Sequence, residues 1–249
     1  MTISDILMHV IPDAPAELER LEVGFDLARR VHARLTGVYT SPGTDGKNEW
    51  ARALFERAAS RTCVETAWRC VDGGTSDAFL FIARRSDLIV LPSCDVDRSL
   101  TKRLPELTIV DAGRPVLILP APTQASSIGL NVLVGWNGSK ESTRALHDAM
   151  PILTLAERVN VLSVATEAGL QSFDDVLLLE HLHQHGVQAQ LSKRSAEEAS
   201  EEIASEARKT DVDLVVLGLH VSSQSQPLEM GDVSQRFVRT GSLPVLFSN

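Results

Sequence analysis

Short, continuous aliphatic runs recur along this chain: Ile6–Val10, Leu88–Leu91, Val132–Val134 and Leu214–Leu217. They do not alternate apolar with polar, as half-exposed strands do. Unbroken runs of this length fit parallel strands buried on both faces. Thr62–Val71 is expected to add a further strand. Amphipathic segments lie between the runs. Helices are expected over Ala16–Val31, Ser76–Arg85, Ser139 to about Ala149, Asp174–His185 and Ser195–Lys209. Pro151 should end or kink the third of these. Ser172 and Gly186 suit the two ends of the fourth. Ser195 and Glu198 have capping-box spacing for the fifth.

The pattern repeats. Ile6 and Val132 open equivalent runs 126 residues apart, and Asp87 and Asp213 precede equivalent runs at the same offset. Arg34–Tyr39 is answered by Arg158–Ser163, and Gly113–Leu119 by Ser242–Phe247. Four matched elements in one order describe two copies of one domain, residues 1–122 and 129–249. The small, polar, Pro-containing stretch Ala121–Ser127 is the expected linker. Strand–helix alternation with short turns makes each copy a doubly wound α/β sheet. Such sheets take ligands at the C-terminal ends of their strands, where the strand order reverses.

Composition narrows the partners. The chain of 249 residues has net charge −9 and only 4% aromatic residues. It therefore lacks both the basic footprint of a nucleic-acid binder and a supply of stacking rings. No apolar stretch is long enough to cross a bilayer, and the first residues do not read as a signal peptide. Cys63, Cys70 and Cys94 are an odd number without a C-x-x-C pair. They read as free thiols in a reducing, cytoplasmic setting. On a strand, Cys63 and Cys70 would face opposite ways.

Candidate chemistry gathers in the second copy. The run ending at Gly135-Trp136 passes through Asn137-Gly138-Ser139 into a helix, a geometry that offers backbone N–H groups to an anion. The later run ends at Leu217-Gly218 and leads through Leu219-His220-Val221 to Met230-Gly231-Asp232-Val233. This spacing resembles the nucleotide loop of the universal stress protein family, G-x(2)-G-x(9)-G-[ST] in its ATP-binding members. The resemblance extends over nearly the whole chain. It implies a tandem member with two adenine nucleotide alpha hydrolase-like domains. It also implies a pseudo-dimer within the chain, formed by the last strands at Pro115–Leu119 and Pro244–Phe247. Pairing those edges removes an aggregation hazard. A further homodimer between chains is compatible with it.

The resemblance places a small ligand, ATP or another adenine nucleotide, against Gly135, Trp136, Asn137, Val164, Leu217, Gly218, Val221, Gly231, Asp232 and Val233. Three of these depart from the pattern. Asn137 replaces an Asp, Val221 a Gly, and Asp232 a Ser or Thr. A β-branched residue suits neither close phosphate approach nor positive φ, and a carboxylate repels phosphate unless a cation bridges them. The first copy has Ile11 and Pro12 at the family's Asp and Gly, with Asp13 beside them. Pro92-Ser93-Cys94-Asp95 carries no glycine there. That copy is expected to be structural.

The leading expectation is a regulatory stress-response protein that binds a small ligand in its second domain. One rival is a weak Mg²⁺-dependent ATP hydrolase with Asp232 on the metal, and another is an interaction module that binds no nucleotide. A phosphoreceiver built on Asp13 would need an acidic cluster and a downstream Lys, which are absent. No catalytic signature is present. His181, His183 and His185 place two imidazoles on one helix face at i,i+4, but a metal normally takes three or four ligands and the sequence names no third partner. His220 borders the expected pocket without a partner carboxylate.

Overall fold

The computed structural model describes residues 2–41, 43, 46–72, 76–93, 104–120, 122, 126–165, 175–195, 198–219, 221–222, 229–230, 233, 236–238 and 243–249. The first half runs β1 (Asp5–His9), α1 (Glu17–Arg30), β2 (Arg34–Ser41), α2 (Lys47–Ala59), β3 (Thr66–Asp72), α3 (Ser76–Ala83), β4 (Leu88–Leu91), α4 (Leu104–Asp111) and β5 (Val116–Ile118). The second half runs β6 (Asn131–Trp136), α5 (Lys140–Leu153), β7 (Arg158–Ala165), α6 (Asp175–Gln184), β8 (Ala189–Ser195), α7 (Ala199–Lys209) and β9 (Leu214–Gly218). A two-residue hairpin, β10 (Val221–Ser222) and β11 (Glu229–Met230), and then β12 (Val245–Ser248) complete it.

The aliphatic runs are strands with both faces covered. In β1, Ile6 and Met8 belong to one buried cluster and Leu7 to the other; in β6, Val132 and Val134 face one way and Leu133 the other. That double burial is why the runs are continuous. One ten-stranded sheet results, ordered β3-β2-β1-β4-β5-β12-β9-β6-β7-β8. Neighbours pair in parallel except at the centre, where β5 and β12 meet antiparallel. There Val245 faces Ile118, Leu246 faces Leu117 and Phe247 faces Val116. The terminal strands of the two halves thus fuse two sheets into one and leave neither edge open at the seam. Ser127, just before the second half, donates a 2.6 Å hydrogen bond to Asp26 of α1 and accepts one from Arg30 at 3.1 Å.

The repeated aspartates have a structural task. Asp87 accepts from the N–H groups of Ser4 and Asp5 at 2.9 and 3.1 Å, fixing the entry to β1. Asp213 does the same for β6, accepting from Gly129 at 2.7 Å, Asn131 at 3.0 Å and Leu130 at 3.1 Å. Burial pushes the Asp213 pKa above its ordinary value, against the pull of these three N–H groups and of Arg30. Its worth therefore lies in acceptor geometry more than in charge. Asp213→Ala is expected to lower stability by about 2–3 kcal/mol, because buried donors lose their partner. Asp213→Asn should lose less, since one acceptor oxygen remains. Urea unfolding measures both, and equal losses would contradict the geometric account.

Three local expectations are corrected. Pro151 does not end α5, which continues to Leu153; Pro151 lies in its last turn. The absent N–H removes one bond to the carbonyl four residues back, but packing of the buried Ile152 and Leu153 holds the turn. Ser195 closes β8 rather than capping a helix; α7 starts at Ala199 behind Glu198, whose side chain makes no capping bond. Cys63 precedes β3 instead of sharing it with Cys70, and both residues are exposed, neither in a disulfide. Among the described residues no helix is long and apolar enough to cross a membrane.

Candidate functional site

In the second half, β6 and β9 are adjacent strands whose connections leave in opposite directions. The crevice beyond their C-terminal ends holds a cavity of about 330 Å³. Gly135 and Trp136 of β6, Asn137 of the turn, and Leu217 and Gly218 of β9 line it. Val164 of β7 and Val233 close further sides. Val221 pairs with Met230 in the β10–β11 hairpin beyond β9. Extended pairing suits a β-branched residue, so this position carries no conformational demand for glycine. Gly231 and Asp232 of the expected site lie outside the described residues, as do His220 and Cys94.

Beside Ser139 of the expected turn, several lining residues were not expected from sequence: Glu141 and Ser142 at the start of α5, Leu162, and Ala199 and Ile203 of α7. The α7 pair sits at i,i+4, a spacing that reads equally well as an ordinary core stripe. The polar trio follows directly from the turn. Gly138 takes φ of 72°, a left-handed conformation that favours glycine, and swings the chain into α5. Asn137 Oδ1 then accepts from the Ser139 N–H at 3.1 Å. Ser139 Oγ accepts from the Ser142 N–H at 3.2 Å, capping the helix.

This arrangement changes the expected chemistry of the turn. Two N–H groups that would face an anion are already held by side chains. The wall is otherwise apolar at Leu162, Val164, Ile203 and Leu217. Glu141 is the one ionisable group among the described lining residues, and it lies 3.7 Å from the outward Lys140. The lining is thus largely apolar, with hydroxyl and amide residues and a single carboxylate residue among it.

Gly218 is required by packing. A Cβ there would lie 2.4 Å from the Glu141 carbonyl carbon, 2.5 Å from the Ser142 nitrogen and 2.7 Å from the Glu141 oxygen. The first turn of α5 therefore rests directly on the end of β9 and forms one wall of the cavity. The glycine that looks like a phosphate-loop residue serves helix–strand contact.

The first half is built differently at the corresponding strand end. Its loop from β1 to α1 spans residues 10–16, against 137–139 in the second half, so Ile11 and Pro12 have no one-to-one counterparts. Glu17 and Arg20, in the first turn of α1, are buried there, with relative exposures of 2% and 0%. Arg20 Nε and Nη2 donate to the Glu17 carboxylate at 2.8 and 2.6 Å, and Nη2 also donates to the His9 carbonyl. Glu17 accepts from the Ile11 N–H at 2.9 Å. An internal carboxylate thus takes the backbone donor that an anionic ligand would use. Asp13, the acid beside this turn, is about half exposed and ion-paired with Lys47.

The histidines of α6 separate into two groups. His183 hydrogen-bonds Gln188 at 3.0 Å. His181 and His185 face His147 of α5, a neighbour that spacing along the chain does not reveal. Among the described residues no three donors already converge on one metal position.

The universal stress protein family model matches residues 130–248. Among solved structures, a universal stress protein from Archaeoglobus fulgidus DSM 4304 is 14% identical, with 98% of each chain covered and a TM-score of 0.74. A functionally unknown protein from Pseudomonas aeruginosa PAO1 is 16% identical, covering 99% of this chain and 92% of that one, with a TM-score of 0.68. The cytoplasmic domain of a prokaryotic cation chloride cotransporter is 13% identical, covering 99% and 95%, with a TM-score of 0.58. At these identities the structural likeness is one of fold. No curated protein matches the chain by sequence.

Proposed function

We propose that this chain, a universal stress protein family member through residues 130–248, is a regulatory protein whose second domain binds one compact ligand of the adenine nucleoside class. The carrying observation is the 330 Å³ cavity at the β6–β9 reversal, with a capped helix start and Glu141 in its lining. Its size sits at the low end for ligand pockets, roughly 300–1,000 Å³. Its apolar walls suit a base, and the Asn137, Ser139 and Ser142 groups suit ribose-type hydroxyls. A triphosphate would meet Glu141 without a lining Lys or Arg among the described residues, so it would need a bridging cation.

Calorimetric titration with adenosine, and with ATP in the presence and absence of Mg²⁺, tests this. Adenosine should bind with one site per chain, and ATP without Mg²⁺ should bind more weakly. Glu141→Gln should strengthen cation-free ATP binding by roughly tenfold, the equivalent of about 1.4 kcal/mol of relieved repulsion. Tight cation-free ATP binding by the unmodified chain would overturn the reading.

A further inference from the structure

We propose that His147, His181 and His185 form a site for one zinc-type divalent transition-metal ion, bridging α5 and α6. The ring centres lie 5.0 Å apart for His147–His181, 4.7 Å for His181–His185 and 6.4 Å for His147–His185. A tetrahedral ion about 2.0–2.1 Å from each imidazole nitrogen sets ring centres roughly 5 Å apart. Two of the separations already match, and the third closes by rotation of His147 and His185, which are exposed and free to turn about their side-chain bonds. His181 supplies an independent sign of a missing ligand: its Nε2 is shielded from solvent and has no hydrogen-bond partner. The nitrogen is a buried lone pair or N–H without satisfaction, an arrangement that calls for an explanation.

The chemistry of the cluster suits a metal better than protons. Neutral imidazole is the ligand form. Three histidines leave a fourth position for water or an incoming donor, and imidazole sets of this kind select zinc, copper or nickel over magnesium or calcium. The i,i+4 pair His181 and His185, at the end of α6 and in the turn just after it, supplies two ligands from one segment, while His147 makes the site depend on the fold.

The test uses the metal-free full chain, titrated with ZnCl₂ by calorimetry and with Co²⁺ by visible absorption. One Zn²⁺ per chain is expected, with a tetrahedral-type Co²⁺ spectrum. His147→Ala should weaken zinc by roughly tenfold or more, at least the loss seen when a supporting outer ligand is removed. His183→Ala, whose imidazole is engaged by Gln188, should bind as the parent does. Zinc should also raise the melting temperature of the parent more than that of His147→Ala, which registers the α5–α6 bridge. Absence of zinc and cobalt binding, unchanged affinity in His147→Ala, or an equal loss in His183→Ala each overturns the proposal.

Discussion

Arg20→Met should destabilise the protein by about 3–5 kcal/mol, the loss expected when one partner of a buried ion pair is removed. The reason is the charge left behind. Glu17 is 2% exposed and would keep a buried carboxylate in the first turn of α1 with the Ile11 N–H as its remaining donor among the described residues. Glu17→Leu should also be strongly destabilising, because the guanidinium would then be stranded; its Nη1 already lacks a hydrogen-bond partner. The double variant Glu17→Leu, Arg20→Met should recover most of the loss. Apolar replacement of a whole buried pair is often neutral or stabilising. Urea unfolding of the four proteins closes a double-mutant cycle. Additive losses would mean that the two side chains are not coupled as their 2.6–2.8 Å contacts imply. The cycle bears on function as well. If the pair replaces a ligand in the first half, the parent should bind its ligand at one site per chain and not two.

The strands were legible because burial on both faces leaves an unmistakable trace. Nothing but apolar residues fits at Ile6, Leu7 and Met8 together, and their 126-residue echo at Val132, Leu133 and Val134 repeats the constraint. The seam was legible through the family resemblance alone: Val116–Ile118 and Val245–Phe247 are equivalent buried strands that each need a neighbour, but burial does not say which. Local signals served less well where packing overrode them. Pro151 is tolerated because α5 is pinned by neighbours on both sides of it, and Ser195 extends β8 against β7 despite its capping-box spacing. The site was partly legible. Gly135, Asn137 and Gly218 mark strand ends and turns, and the structure brings them to one crevice. Glu141 and Ser142 escaped notice because a helix's first turn looks alike whether it faces solvent or a cavity. His147 escaped because its relation to His181 depends on which helices lie side by side, and a single sequence does not record that. Glu17 and Arg20 at i,i+3 look like any exposed helix pair until the loop over residues 10–16 is seen to bury them.

Gly218→Val should lose about 3 kcal/mol of stability and, with it, ligand binding in the second domain. Overpacking a closed site typically costs about 1–3 kcal/mol, and more where the obstacle cannot turn aside. Here the obstacle is backbone. A Cβ would stand 2.4–2.7 Å from three main-chain atoms of Glu141 and Ser142, and valine adds two methyl groups beyond it. No rotamer relieves contact with main chain, so α5 must lift from β9. The first turn of α5 carries Ser139, Glu141 and Ser142, three of the polar lining groups, and its displacement opens the wall they form. A glycine kept for phosphate approach would behave differently. Gly218→Ala would then fold normally and lose affinity for phosphorylated ligands while retaining that for nucleosides. If the glycine is kept for helix contact, Gly218→Ala should already lower the unfolding midpoint and weaken adenosine and ATP–Mg²⁺ alike. A stable Gly218→Ala protein that discriminates only against phosphates would restore the phosphate-loop role to this residue. A joint loss of stability and of both ligands would place the glycine's purpose in the seating of α5 on β9.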